Sequence, residues 1–219
     1  MRRPGTDGSA NPVRERGGEP WTVLRMIRWS AAWLEGKGVE RGRLDGEHLL
    51  AHVLDLSRLQ LYLQYERPLT ADELAAYKPL LLRRARREPL QYILGRTSFR
   101  ELELRTDHRA LVPRPETERL VQEVLDWAAS RDPSGAGSGG LTALDVGTGT
   151  GCIALSLARE GPFARVVATD TSGEALELAR ENAREAGLDQ VVELVAGPLF
   201  QPVGEERFDV VVSNPPYVA

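Results

Sequence analysis

The chain reads as an α/β protein in which a small helical domain precedes a doubly wound parallel sheet. Three observations predict this. From Leu141 onward, short β-branched runs alternate with stretches of helical period, the pattern of βαβ units. A glycine-rich turn, Gly147-Thr148-Gly149-Thr150-Gly151, separates the first strand-like run from the first helix that follows it. Residues 20–88, by contrast, carry helical periodicity.

Residues 1–19 are rich in Gly, Pro, Arg and Ser with almost nothing apolar, and read as a disordered tail. From Trp21, the spacing of Leu24, Ile27, Ala31 and Leu34 predicts a helix, ended by Gly36 and Gly38. Leu44 to Leu56 reads as a second helix and Leu59 to Tyr65 as a short third. Thr70-Ala71-Asp72-Glu73 is a capping box that opens a helix running to about Arg87. Its last turn holds Arg83, Arg84, Arg86 and Arg87, which complement the helix dipole. Residues 89–115 read as a hairpin linker of strand-like composition, with Leu111 to Glu118 held stiff by Pro113 and Pro115. A helix is expected from Glu116 to Ala129, then a flexible Gly/Ser loop over Ser130 to Gly140. Strands are predicted at Ala143–Val146, Arg165–Thr169, Val191–Val195 and Phe208–Ser213, in the spatial order 3-2-1-4. Helices are predicted at Cys152–Arg159 and Glu174–Ala186, the second with a Thr171-x-x-Glu174 capping box. The carboxyl-terminal domain is thus placed at 116–219.

Composition bounds the function. The 219 residues are 42% hydrophobic and 27% charged, which suits one large or two small soluble domains. No apolar run approaches the ~20 residues of a membrane span, and the polar segment after Met1-Arg2-Arg3 has no signal-peptide core. With Cys152 the single cysteine, no intrachain disulfide is possible, and a cytoplasmic setting is expected. Net charge is −4, divided as +5 over residues 1–110 and −9 over 111–219. The amino half is the better candidate for an acidic or ribosome-associated partner. Neither membrane association nor stable nucleic-acid binding is expected. His48 and His52 share a helix face at i, i+4 but have neither a His-Glu-x-x-His pattern nor a nearby cysteine, so no metal is predicted.

Two stretches carry chemistry. Asn214-Pro215-Pro216-Tyr217 follows a buried-type strand, at the carboxyl end where open α/β sheets place ligands. The prolines stiffen the turn and constrain the residues before them. It presents the Asn214 side-chain oxygen and the Pro215 carbonyl as acceptors, with Tyr217 as a flat face, which suits a planar NH2 group. The second stretch is the turn Gly147, Thr148, Gly149, Thr150, Gly151, with Asp170 ending the next strand 19 residues after Gly151. Glycines let backbone approach a ligand, and a carboxylate so placed accepts from both hydroxyls of a ribose. Cys152 stands where a dinucleotide fingerprint needs glycine, and no lysine completes a phosphate loop. S-adenosylmethionine fits this pattern better. Cys152 itself reads either as a reactive thiol at a helix N-terminus or, preferably, as a packing residue.

With these motifs on the page, the chain resembles the release-factor-specific protein-(glutamine-N5) methyltransferases over about residues 20–219. The resemblance is carried by Leu44–Leu63, Glu88–Gly95, Leu111–Glu118, Leu144–Leu157 and Ser213–Tyr217. It implies a Rossmann-like class I fold, S-adenosylmethionine as methyl donor, and the glutamine of the Gly-Gly-Gln motif of class-1 peptide chain release factors as acceptor. By position it implies that Gly147 to Gly151 meet the methionine and ribose parts, that Asp170 binds the ribose hydroxyls, and that Leu199 lies against the adenine. Asn214 to Tyr217 would hold the target amide, with Asn214 and Pro215 catalytic and Asn214 also bordering the cofactor. No dedicated acid–base residue is expected. Two features depart from the family. Pro198 stands where relatives carry an acid for the adenine amino group, and the chain stops at Ala219, where the fold normally continues with three more strands. A fragment of a longer protein, with an exposed apolar edge strand, is therefore expected. An adenine-N6 DNA or RNA methyltransferase and a non-catalytic cofactor-binding protein are the alternatives.

Overall fold

The computed structural model describes residues 20–131 and 140–215. The predicted tail at 1–19, most of the Ser130–Gly140 loop, and both Pro216 and Tyr217 lie outside the described residues. The chain divides into two compact units between Leu94 and Gly95.

The first unit is helical: α1 (Val23–Gly36), α2 (Gly42–Leu54), α3 (Arg58–Leu63), α4 (Ala71–Ala85) and α5 (Leu90–Leu94). Thr22 caps α1 by accepting the Arg25 N–H. Reciprocal capping boxes, Ser57 with Gln60 and Thr70 with Glu73, start α3 and α4. Met26, Ile27, Leu34, Leu49, Leu50, Tyr77 and Leu81 are wholly buried together. A Cβ at Gly46 would fall 2.7 Å from Ser30 Oγ, so only glycine lets α2 lie this close to α1. The basic end of α4 is tied down within the unit: Arg84 pairs with Asp45 at 2.7 Å and Arg83 with Glu88 at 2.5 Å. Helix α5 departs from the strand-like reading of residues 89–107. Five residues are too few to show a helical period. Burial of Ile93 in the helical core holds α5, so the unit extends beyond residue 88.

The second unit holds a hairpin, β1 (Arg96–Phe99) and β2 (Leu102–Arg105), then α6 (Pro115–Arg131). There follow β3 (Leu141–Val146), α7 (Cys152–Glu160), β4 (Phe163–Asp170), α8 (Gly173–Ala186), β5 (Val192–Ala196), a 3-10 turn (Gln201–Val203) and β6 (Val210–Ser213). The sheet is parallel in the order β5-β4-β3-β6, which is the predicted 3-2-1-4. Ala143, Val166, Ala168 and Val212 on one sheet face pack with Val121, Val124, Ile153, Ala154 and Leu157 from α6 and α7. The cap of α8 lies one residue later than the predicted Thr171 box. Ser172 is the N-cap, its side chain accepting from the Ala175 N–H. Asp170 Oδ1 accepts the Ser172 N–H at 2.9 Å, and this local turn holds Ser172 in the capping geometry. Among the described residues, no helix is long and apolar enough to cross a membrane.

Candidate active site

Three strands deliver the site residues side by side. Val146 of β3 is in register with Thr169 of β4 on one side and with Ser213 of β6 on the other. Gly147, Asp170 and Asn214 therefore each lie one residue beyond an aligned carboxyl end, where such sheets bind ligands. They border one cavity of about 580 Å³. Thr148, Thr150, Leu199 and Pro215 line it too, as do Arg109–Arg114 and Thr117.

The glycine-rich loop owes its course to torsion. Gly147, Gly149 and Gly151 have φ of 77°, 56° and 83°, which side chains disfavour. A Cβ at Gly147 would meet nothing within 4 Å, and one at Gly149 only Ala110 Cβ at 3.8 Å, so the backbone here borders open space. Gly147 and Thr148 both donate their N–H to the Thr169 carbonyl, at 2.8 and 3.0 Å. Asp170 fastens the loop further, its Oδ2 accepting the Gly149 N–H at 2.9 Å. With Oδ1 taken by Ser172, each carboxylate oxygen retains a second lone pair for a ligand hydroxyl.

Asp145 escaped the sequence reading. It is fully buried, its Oδ2 accepting from Thr148 Oγ1 at 2.6 Å and from the Ala154 N–H at 3.3 Å, while Oδ1 has no partner among the described residues. Burial pushes its pKa up to about 6. The tie to Thr148 anchors the glycine loop to the strand from below. Cys152 is the packing residue: it is buried, and burial pushes its thiol up to about 12, so little thiolate exists at neutral pH.

The remaining wall is the segment before α6. Arg109 pairs with Asp107 at 2.8 Å and with Glu181 of α8 at 2.7 Å. Ala110 is buried against Ala175 and Leu178. The sequence marks Leu111–Glu118 as a rigid turn without marking a site residue in it. The paired prolines were the available signal; which cavity the segment borders is a tertiary fact. Thr117, buried in the first turn of α6, accepts from Asn214 Nδ2 at 2.7 Å. At the far wall Leu199 is 66% exposed with φ of 48°. Its carbonyl accepts from Thr169 Oγ1 at 3.3 Å. Pro198 enters a turn whose carbonyl accepts the Gln201 N–H at 3.0 Å. Pro215 is exposed at the cavity edge, and Pro216 and Tyr217 lie beyond the described residues.

A parallel sheet in this order, with a glycine-rich β3–α7 loop and an acid ending β4, defines a Rossmann-like methyltransferase fold. Residues 25–95 match the family model of the PrmC N-terminal domain, and residues 137–219 that of the methyltransferase small domain. The chain is 44% identical over 200 residues to the release factor glutamine methyltransferase of Geobacter sulfurreducens, covering 91% of this chain and 66% of that one. To the enzyme of the same description from Chlorobaculum tepidum it is 41% identical over 202 residues, covering 90% and 68%. Among solved structures, an RNA methyltransferase from Salinibacter ruber in complex with S-adenosyl-L-homocysteine matches with a TM-score of 0.37 at 31% identity. That match covers 47% of this chain and 60% of the other. The chain belongs to the release factor glutamine methyltransferase family. It spans about two thirds of the length of these relatives.

Proposed function

We propose that this protein transfers a methyl group from S-adenosylmethionine to the side-chain N5 of the glutamine in the Gly-Gly-Gln motif of class-1 peptide chain release factors. The carrying observation is that Gly147, Asp170 and Asn214 follow aligned strand ends and open on one cavity. In this reading Gly147 to Gly151 present backbone to the methyl donor, Asp170 accepts from the ribose hydroxyls, and Leu199 offers the adenine an apolar face. S-adenosylmethionine, when bound, supplies an electrophilic sulfonium methyl.

What the chain must add is position. An amide nitrogen is a weak nucleophile because its lone pair is delocalised into the carbonyl. Asn214 Oδ1 and the Pro215 carbonyl accept its two N–H hydrogens, aim the nitrogen and favour its pyramidalisation as it attacks. The nitrogen loses its proton after the methyl has moved, so no strong base is required beforehand.

The test is the mass of a release factor after incubation with S-adenosylmethionine and the protein. One added methyl, mapped to the Gly-Gly-Gln glutamine, is expected. Asn214→Ala should lower turnover by about 100-fold or more, the scale of losing a donor–acceptor contact made to a reacting group, while cofactor binding by calorimetry stays close to wild type. Near-normal turnover in this variant would overturn the mechanism. Methylation of adenine in DNA or RNA instead, or cofactor binding with no transfer to any substrate, would overturn the acceptor.

A further inference from the structure

We infer that Thr117 is a positioning residue for this reaction: it holds the Asn214 side chain in the orientation that shows its oxygen, not its NH2, to the substrate amide. The inference rests on the proposed role of Asn214 and concerns a residue from a different part of the chain, 97 positions away.

The problem Thr117 solves is chemical. A carboxamide carries an acceptor on one arm and two donors on the other, and the two arms are nearly the same size. Rotation about its terminal torsion is broad and roughly two-fold. Asn214 is only half-buried at the cavity rim, so packing alone does not choose between the arms. The choice matters because the substrate amide presents hydrogens. With Oδ1 outward the two amides pair; with Nδ2 outward, donor faces donor and the nitrogen is not held for attack.

In the structure Asn214 takes the first of these orientations. Asn214 Nδ2 donates to Thr117 Oγ1 at 2.7 Å, which turns Oδ1 away from α6. Thr117 is well suited to hold that position. It is 4% exposed, and its branched Cβ restricts χ1. Its N–H donates to the Arg114 carbonyl at 3.0 Å, within the turn that opens the helix. The same turn is clamped from the hairpin: Arg100 Nη1 donates to the Glu118 carbonyl at 3.1 Å, and Arg100 also pairs with Glu160 of α7 at 2.6 Å. The hydroxyl that Asn214 meets thus belongs to a braced helix end. The threonine hydroxyl can itself donate or accept. Only with Oδ1 outward, however, are Thr117 and an incoming amide both paired, so the substrate and Thr117 favour the same orientation.

The experiment compares wild type with Thr117→Val, which keeps the shape and removes the hydroxyl, and Thr117→Ser, which keeps the hydroxyl. Two readouts are taken. The first is the side-chain NH2 pair of Asn214 in nitrogen-15 NMR spectra, assigned by its loss in Asn214→Asp. The second is methyl transfer to a release factor, with kcat and the KM for S-adenosylmethionine separated. In Thr117→Val the Asn214 NH2 signals should move and exchange faster with water. There kcat should fall about tenfold or more, the scale of one lost orienting hydrogen bond, at nearly unchanged KM for the methyl donor. Thr117→Ser should restore both readouts to within a few-fold. An unchanged Asn214 NH2 signal in Thr117→Val would overturn the inference whatever the activity. So would a kcat close to wild type in that variant, or a serine variant as impaired as the valine one, which would mark Thr117 as packing only. If wild type itself transfers no methyl to the release factor, the proposed function fails, and the NMR readout still decides whether Thr117 orients Asn214.

Discussion

Asp145 holds its carboxyl group fully buried beneath the glycine-rich loop. Its carboxylate has one satisfied oxygen and one orphan, and burial raises its pKa to about 6 from an ordinary value near 4. The sign follows from linkage. A folded-state pKa above the unfolded one means that the folded protein holds the proton more tightly. Ionisation of Asp145 therefore costs stability: the cost is absent below about pH 4, grows between about pH 4 and 6, and is complete above that window, where it is on the order of 2–3 kcal/mol. Asp145→Asn removes this titration. The difference in unfolding free energy between wild type and Asp145→Asn, from urea titrations at pH 4 and pH 7, should shift against wild type by that amount at the higher pH. A difference that is the same at both pH values would show that Asp145 does not titrate in this range. Thr148 explains why a carboxylate stands there, because its 2.6 Å bond to Asp145 holds the glycine loop to the end of β3.

Helix α8 shows how one element can brace several others. Its buried Asn182 accepts the Arg105 N–H at 2.7 Å and donates to the carbonyls of Arg105 and Thr150, at 3.2 and 2.9 Å. The end of strand β2 and the glycine-rich loop are thus tied to the same side chain. Arg96 and Arg105 of the hairpin both pair with Glu185 one turn further along α8. Asn182→Ala leaves buried backbone groups unpaired and should lower unfolding free energy by about 2–4 kcal/mol. Measured in urea, it should shift the midpoint at unchanged slope. A loss below about 0.5 kcal/mol, the range of ordinary surface changes, would mean that water replaces Asn182 at no cost.

At the scale of the whole molecule, the outermost strand of the sheet among the described residues is apolar. Among the described residues β6 pairs with β3 alone, and its Val211 is 50% exposed. An unpaired strand edge beside exposed valine is a template for association with another copy. Val211→Lys should reduce the growth of light scattering with protein concentration and leave the urea midpoint within about 0.5 kcal/mol of wild type, as for an ordinary surface change. Equal scattering from both proteins would place the association surface elsewhere, for instance at Leu59 and Leu63 on α3, which are 68% and 78% exposed. The charge difference between the halves, +5 against −9, acts at this scale as well. It concerns partners and solubility, not the fold.

Much of this was legible in the sequence. The capping box of α4, the glycine loop and the strands themselves depend on interactions within a few residues or on hydrophobic period, and the alternation of strands with helices points to the order β5-β4-β3-β6. A linear chain displays both. Helix α5 did not show, because five residues carry no period and its place depends on Ile93 finding the helical core. The true cap of α8 was missed by one residue, because Thr171 and Ser172 are both capping types and the turn made by Asp170 favours Ser172. Gly147, Asp170 and Asn214 were singled out from their places after strands, and they border one cavity. The sequence alone thus determined the family, the sheet order and the motifs at the strand ends. Only the tertiary structure decided that Asp145 is buried with an orphan oxygen, that Arg109 to Arg114 wall the cavity, and that Thr117 meets Asn214. These pairings join residues far apart in the chain, and which distant groups meet is settled by how whole elements pack, not by any local pattern.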